Sequence, residues 1–181
     1  GNTWIRSFLG SLLFNDKNEI NFESLSNIPQ YPLRSHFNNL VSKNNIDDLK
    51  NSYKRINKYL VETPIVSCNA LNEEFKANVY LKNEVEQLTG SFKIRGALSA
   101  LSNLKNQGIK GVVAYSSGNH AQGVSKAAQI FDMHAIIVMP EDAPSNKINK
   151  TKANGAEVVL YKRHIESRED IALQIAQEKN Y

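Results

Sequence analysis

The chain has one cysteine, Cys68, in 181 residues, which excludes an internal disulfide framework and fits a reducing compartment. On composition Cys68 reads as a small buried apolar residue. No apolar run approaches the roughly 20 residues that a bilayer-spanning helix needs. The one candidate for targeting, "WIRSFLGSLLF" from Trp4 to Phe14, is interrupted by Arg6, Ser7 and Ser11 and lacks a small-residue cleavage pattern. The expectation is a soluble, cytoplasmic protein with no membrane partner. Charge of one sign is not concentrated either: 22 basic and 18 acidic residues, net +4, are scattered without a Lys/Arg block, so no nucleic-acid partner is expected. His36, His120, His134 and His164 lack metal-ligand spacing and a cysteine cluster, so no metal is expected. The aromatics are spread along the chain, as core packing requires, rather than interleaved with a basic stripe.

What is present is ordinary for a globular chain: 41% hydrophobic and 22% charged residues, at a length that buries a real core. Residues 1–45, rich in Asn and Ser and broken by Pro29 and Pro32, read as an irregular leader. "IDDLKNSYKRINKYL" then places Ile46, Leu49, Tyr53, Ile56 and Leu60 at helical steps, with Asp47 and Asp48 where a helix dipole favours them. Pro64 stops that helix.

Beyond Pro64 the pattern predicts β-α-β-α-β-α-β-α. A strand at Val79–Lys82 and a turn at Thr89 and Gly90 lead to a helix on Ile94, Ala97, Leu98, Leu101 and Leu104, closed by Gly108. Strand "GVVAYS", loop "SGNH", a helix from Ala121 to Phe131 and strand "AIIVMP" follow. A helix at Asn146–Ala153 ended by Asn154 and Gly155, strand "EVVLY", and a last helix capped by Ser167 and Asp170 complete the series. Short Val- and Ile-rich strands without alternation suit a parallel sheet covered on both faces. The fold class is therefore α/β, with open, mostly parallel sheets, and ligands are expected where strands lead into helices.

Two such connections carry chemistry. "SSGNHAQG", Ser116–Gly123, has the glycine spacing of a nucleotide phosphate loop, but Val124 stands where that loop requires lysine. What remains is a loop of small residues in which backbone amides, Ser116, Ser117 and Asn119 could surround an anion. The plain alternative is a helix start, since Ser and Asn are favoured there. "TGSFKIRGA" puts Lys93 and Arg95 at a helix N-terminus, where the dipole disfavours cations. They are either exposed charges, or they call for a compensating anion or a role for the lysine. A Schiff-base lysine gives up its ammonium charge in such a bond.

"LKNEVEQLTGSFKIRGAL", then "SSGNHAQGVSKAA", then "VMPEDAPSNKINKTKANGAEVVLY" together resemble the pyridoxal-phosphate enzymes of fold type II, the tryptophan synthase β-like fold. The resemblance is strongest to serine/threonine dehydratases (threonine ammonia-lyases) and serine racemases, and runs from about Glu62 to Arg168. It implies pyridoxal 5'-phosphate as cofactor, held as a Schiff base on Lys93, with Phe92 against the pyridine ring and Asn119 on the ring hydroxyl. Ser116, Ser117, Gly118, Asn119 and His120 match the substrate site, the serines, glycine and histidine taking the carboxylate. Ser117 also matches the proton-exchanging serine of racemases. "ESRED" resembles a racemase stretch whose arginine, here Arg168, lies near the substrate entrance.

The reaction implied is deamination of serine or threonine to a 2-oxo acid and ammonia, with racemisation of serine as the alternative. "GSFKIRG" and "SGNHAQG" differ from the "GSVKDR" and "SGNTG" of cysteine-synthase-like members. A small amino acid is the expected substrate, and a homodimer the expected state of a full-length enzyme. The domains expected are 1–61, leader and helix; 62–108, the first part of the large cofactor domain; and 109–181, a truncated small α/β domain. The family's phosphate loop, its pyridine-nitrogen partner and its metal carboxylates are expected downstream of Tyr181, so that the chain reads as an N-terminal portion. A non-catalytic relic or partner-binding module is the competing class.

Overall fold

The computed structural model describes residues 43–181. The leader, the Trp4–Phe14 segment and His36 lie outside the described residues, apart from 43–45, which belong to a helix. That helix, α1 (Lys43–Ile56), begins earlier than its apolar spacing predicts, so Asp47 and Asp48 are not in its first turn and gain little from the dipole. It also ends earlier. The backbone tightens into a 3-10 turn at Asn57–Tyr59 and is extended at Leu60, before Pro64 is reached. Of its apolar positions Ile56 is buried, while Leu49 and Tyr53 stay exposed.

The chain divides into two compact units. Among the described residues one holds 43–50 and 63–83. It contains a strand and a helix that the hydrophobic pattern did not reveal, β1 (Ile65–Ser67) and α2 (Asn69–Phe75), followed by β2 (Tyr80–Lys82). β1 and β2 pair antiparallel, Val66 opposite Leu81. Asn72 ties the connection: its Nδ2 donates to Ser67 Oγ and its Oδ1 accepts from the Val79 amide. Cys68 is half-buried at the cap position of α2, not a core residue as composition suggested.

The other unit holds 51–62 and 84–181. Its elements are α3 (Lys93–Asn106), β3 (Gly111–Tyr115), α4 (Asn119–Ile130), β4 (His134–Pro140), α5 (Ser145–Ala153), β5 (Glu157–Tyr161) and α6 (Arg168–Lys179). The strands form a parallel sheet in the order β3-β4-β5, with Val113 opposite Ile136 and Val138 opposite Val159. Only the central strand is an unbroken buried run; at the edges Tyr115 and Leu160 are exposed. Ala135, Ile137 and Met139 join α3 and α4 in one core cluster, while Val138 joins Tyr161 and Ala172 of α6 in another. Period-two alternation along β4 thus sends side chains into a layer on each face.

The punctuation read from sequence holds. Gly108 (φ 81°) and Gly155 (φ 84°) take the left-handed conformation that closes α3 and α5. Ser167 Oγ accepts from the Asp170 amide at the start of α6. The parallel order brings the beginnings of α4 and α6 to the carboxyl ends of their strands, where the α/β rule expects a site.

Candidate active site

Lys93 is the first residue of α3, and Phe92 caps the helix without a side-chain hydrogen bond. The Lys93 ammonium lies 5.1 Å from the centroid of the Phe92 ring, and Phe92 is 43% exposed, so an exposed aromatic side chain stands beside the amine. Arg95, two residues on, has its anion: Nε and Nη2 donate to the two carboxylate oxygens of Glu84 at 2.8 and 2.7 Å. Above all that hydrogen-bonded pair raises the Arg95 pKa against the lowering effect of burial. The compensating charge expected for the two cations is therefore present for Arg95, eleven residues upstream in sequence.

The second loop leaves β3 through Tyr115. The Ser116 amide still bonds the Val138 carbonyl, and Ser116 Oγ accepts from the Gly118 amide at 3.3 Å. The cap of α4 is Gly118 itself (φ −134°, ψ −145°), and Asn119 is already inside the helix. Neither Ser116, Ser117 nor Asn119 occupies the cap position, which weakens the plain helix-start reading. A glycine cap brings no side-chain acceptor to the first amides, the arrangement that suits an anion. His120 follows, with its pKa lowered first by desolvation and then by the Lys93 ammonium. The two loops thus share one electrostatic environment.

Their proximity has a backbone cause. A Cβ built on Gly123 of α4 would lie 3.2 Å from the Lys93 carbonyl carbon and 3.3 Å from both the Lys93 oxygen and the Ile94 nitrogen. Lys147 of α5 reaches Asn119 Oδ1 at 3.4 Å. Three buried polar atoms have no hydrogen-bond partner among the described residues: Thr89 Oγ1, Ser91 Oγ and Gln122 Nε2. Each lies in one of the two motifs. Arg168 opens α6 with its guanidinium 5.1 Å above the Tyr115 ring, next to Ser116, and in an exposed pair with Glu169 at 2.8 Å.

Lys93, Phe92, Ser116, Ser117, Gly118, Asn119 and His120 therefore gather where α3 meets the head of α4, with Arg168 beyond Tyr115. The spacing did not single out Glu84 or Gly123. It also passed over Gln87, whose buried amide bonds both the N–H and the C=O of Val61, fixing the turn that precedes Lys93. The signals were there: an acid eleven residues before a helix-start arginine, and a glycine inside a helix that would prefer alanine. Among the described residues no group of three or more His, Cys, Asp or Glu is placed to hold a metal, and no helix is long and apolar enough to cross a membrane.

Residues 56–181 match the family model described as pyridoxal-phosphate dependent enzyme. An L-threo-3-hydroxyaspartate ammonia-lyase of Saccharomyces cerevisiae is 42% identical over 135 residues, covering 74% of this chain and 41% of the relative. A serine racemase of Schizosaccharomyces pombe is 42% identical over 132 residues, 72% of this chain and 41% of the relative. An L-threonine ammonia-lyase of Thermotoga maritima is 44% identical over 135 residues, 74% of this chain and 33% of the relative. Among solved structures, maize serine racemase aligns with a TM-score of 0.70 at 35% identity over 75% of this chain and 41% of that one. The chain spans about 40% of the length of the first two curated relatives. With the lysine loop, the serine-asparagine loop and the parallel sheet that carries them, the chain belongs to the pyridoxal-phosphate-dependent enzymes of fold type II, as a partial length of such an enzyme.

Proposed function

We propose that this chain supplies the lysine and the substrate-carboxylate loop of a pyridoxal-phosphate-dependent ammonia-lyase acting on serine or threonine. The observation that carries the reading is the close approach of Gly123 to the Lys93 and Ile94 backbone, which supports a lysine that works together with the Ser116–His120 loop. The side chains fit the cofactor in chemical kind. Lys93 offers an amine next to an open aromatic face, Asn119 an amide, and the Gly118-capped helix a set of N–H groups for an anion.

When bound, the cofactor supplies an electron sink for the charge that develops at the substrate Cα. Lys93 would hold it through Nζ and, with that amine free, would serve as the base for the proton on the substrate Cα. Phe92 would offer its ring to the cofactor, and Asn119 would offer its side-chain amide. Ser116, Ser117, Gly118 and His120 hold the substrate carboxylate at the head of α4, where burial and then the Lys93 ammonium lower the His120 pKa. Arg168, over Tyr115, stands at the approach to that loop. The β-hydroxyl leaves as water with one proton, and the water regained on hydrolysis balances the release of a 2-oxo acid and ammonia. A serine racemase is the second reading, favoured by the match of Ser117 to the proton-exchanging serine of racemases and by the racemase relatives. There Ser117 returns the proton to the opposite side of Cα. The small amino-acid substrate, the cytoplasmic setting and a homodimer of the full-length enzyme belong to this same proposal, as do the division at 108/109 and the assignment of each site residue.

The test is to incubate the purified chain with pyridoxal phosphate, reduce with borohydride and map the modified peptides, with Lys93→Ala as control. Selective modification of Lys93 is the expected result. Labels spread over surface lysines, unchanged in the control, would leave a fold without cofactor chemistry.

A further inference from the structure

We infer that Gly123 is a positioning residue for Lys93: the absence of a side chain there sets the distance between the amine and the head of α4. This rests on the function proposed above. Gly123 is buried in the middle of a helix, where glycine is disfavoured relative to alanine, and its φ is not in the left-handed region that would demand glycine. Space is the reason. All three atoms that a Cβ would press on belong to backbone, the Lys93 carbonyl carbon and oxygen and the Ile94 nitrogen, at 3.2–3.3 Å. No rotamer change relieves such a contact, so α3 must move away by a few tenths of an ångström, and Lys93 moves with it.

Ile94, with no exposure, belongs to the core that α3 shares with α4. That core resists a sliding α3 and turns the contact into a fixed register between the lysine and Asn119, His120 and Gly118. Gly96 provides the contrast. It lies in the same lysine motif and also inside a helix, yet a Cβ there meets nothing within 4 Å. A positioning role therefore predicts opposite behaviour for the two glycines, although both are Gly→Ala changes in helices.

The experiment compares the wild-type chain with Gly123→Ala and Gly96→Ala, using borohydride trapping of pyridoxal phosphate on Lys93 and the proton titration of His120 by NMR. His120 reports the distance without any cofactor, because the Lys93 ammonium is one of the two influences that hold its pKa down. Gly123→Ala should lower the trapping rate at Lys93 at least tenfold and move the His120 midpoint, while Gly96→Ala leaves both as in wild type. An unchanged His120 midpoint with wild-type trapping in Gly123→Ala overturns the inference, and so does a Gly123→Ala chain that does not fold, since the glycine would then serve packing alone. In the wild-type chain a nuclear Overhauser contact between the Gly123 Hα protons and the Ile94 amide is expected, and its absence overturns the inference whatever the variants do. If wild type is not trapped at Lys93 but the His120 midpoint still moves in Gly123→Ala, the proposed function fails and the positioning stands.

Discussion

Arg95 donates through two guanidinium nitrogens to both carboxylate oxygens of Glu84, whose side chain is 10% exposed, so one of the two cations opening α3 is neutralised within its own unit. The pair is planar and two-pronged, the geometry in which arginine is not replaceable by lysine. Its role is to close the Glu84–Glu86 turn against the helix that presents Lys93.

Removing the acid should therefore cost more than an ordinary surface ion pair. Glu84→Ala leaves a partly buried guanidinium without this acceptor, and a loss of about 1.5–3 kcal/mol is expected, the range for hydrogen bonds to charged groups. Urea unfolding of Glu84→Ala, Arg95→Ala and the double variant measures it. A coupling below about 0.5 kcal/mol would place the pair with solvent-screened surface bridges instead.

His120 should titrate below its ordinary value of 6.5, because burial and then the Lys93 ammonium disfavour the charged ring. The folded chain then binds that proton less readily than the unfolded chain. Stability is unaffected above about pH 6.5 and declines as pH falls from there toward the depressed folded value. Lys93→Met removes the second cause and leaves the first, so the NMR midpoint should rise but stay under 6.5. A midpoint that does not respond to Lys93→Met would separate the two loops electrostatically.

Much of this was legible in the sequence because the second unit repeats one pattern. The apolar steps from Ile94 to Leu101, the Val- and Ile-rich β4, and the closing glycines Gly108 and Gly155 agree with one another, and the α/β series with its mostly parallel sheet follows. β1 and α2 were missed for a physical reason. A strand of three exposed residues, Ile65–Ser67, has no room for periodicity, and α2 has no side-chain cap and no buried residue to mark a face. Short antiparallel ribbons are set by pairing, such as Val66 with Leu81, and by a side chain like Asn72, which local sequence does not announce. In the site, the motifs named Lys93 and the Ser116–His120 loop, but what brings them together is Gly123, whose place inside a helix is a signal while the backbone it lies against is not written in the local sequence. The aromatics were also less uniform than core packing suggested. Tyr59 packs edge-on to Phe131 at 5.3 Å, yet Phe75 is exposed, and so are Phe92 and Tyr115 beside the site.

Gly96→Ala should stabilise the chain. The position is a helix interior with open space for a methyl group, and alanine there removes unfolded-state freedom worth about 0.5–1 kcal/mol. Thermal unfolding should show a higher midpoint. A lower one would mean that the Gly96 surface is pressed by something else in solution.

Gly111 should behave in the opposite way, for a reason at the far end of the chain. Asn180 takes a left-handed conformation, φ 55°, and turns Tyr181 back so that its amide bonds the Ala176 carbonyl at 3.0 Å. The Tyr181 ring then covers Gly111 at the start of β3, its hydroxyl 2.8 Å from His134 Nδ1 of β4, while His134 Nε2 lies 3.7 Å from Glu157 of β5. A Cβ at Gly111 would run into the ring itself. Gly111→Ala must therefore expel Tyr181 and break its bond to His134, or push β3 out of register. Overpacking of this kind costs about 1–3 kcal/mol. If expulsion is the route, Tyr181→Ala carries the same loss, and adding Gly111→Ala to it costs little further, so the two changes are strongly non-additive in urea unfolding. Additive losses would mean that the alanine strains β3 directly, and that the ring over Gly111 contributes nothing to holding the strand ends together.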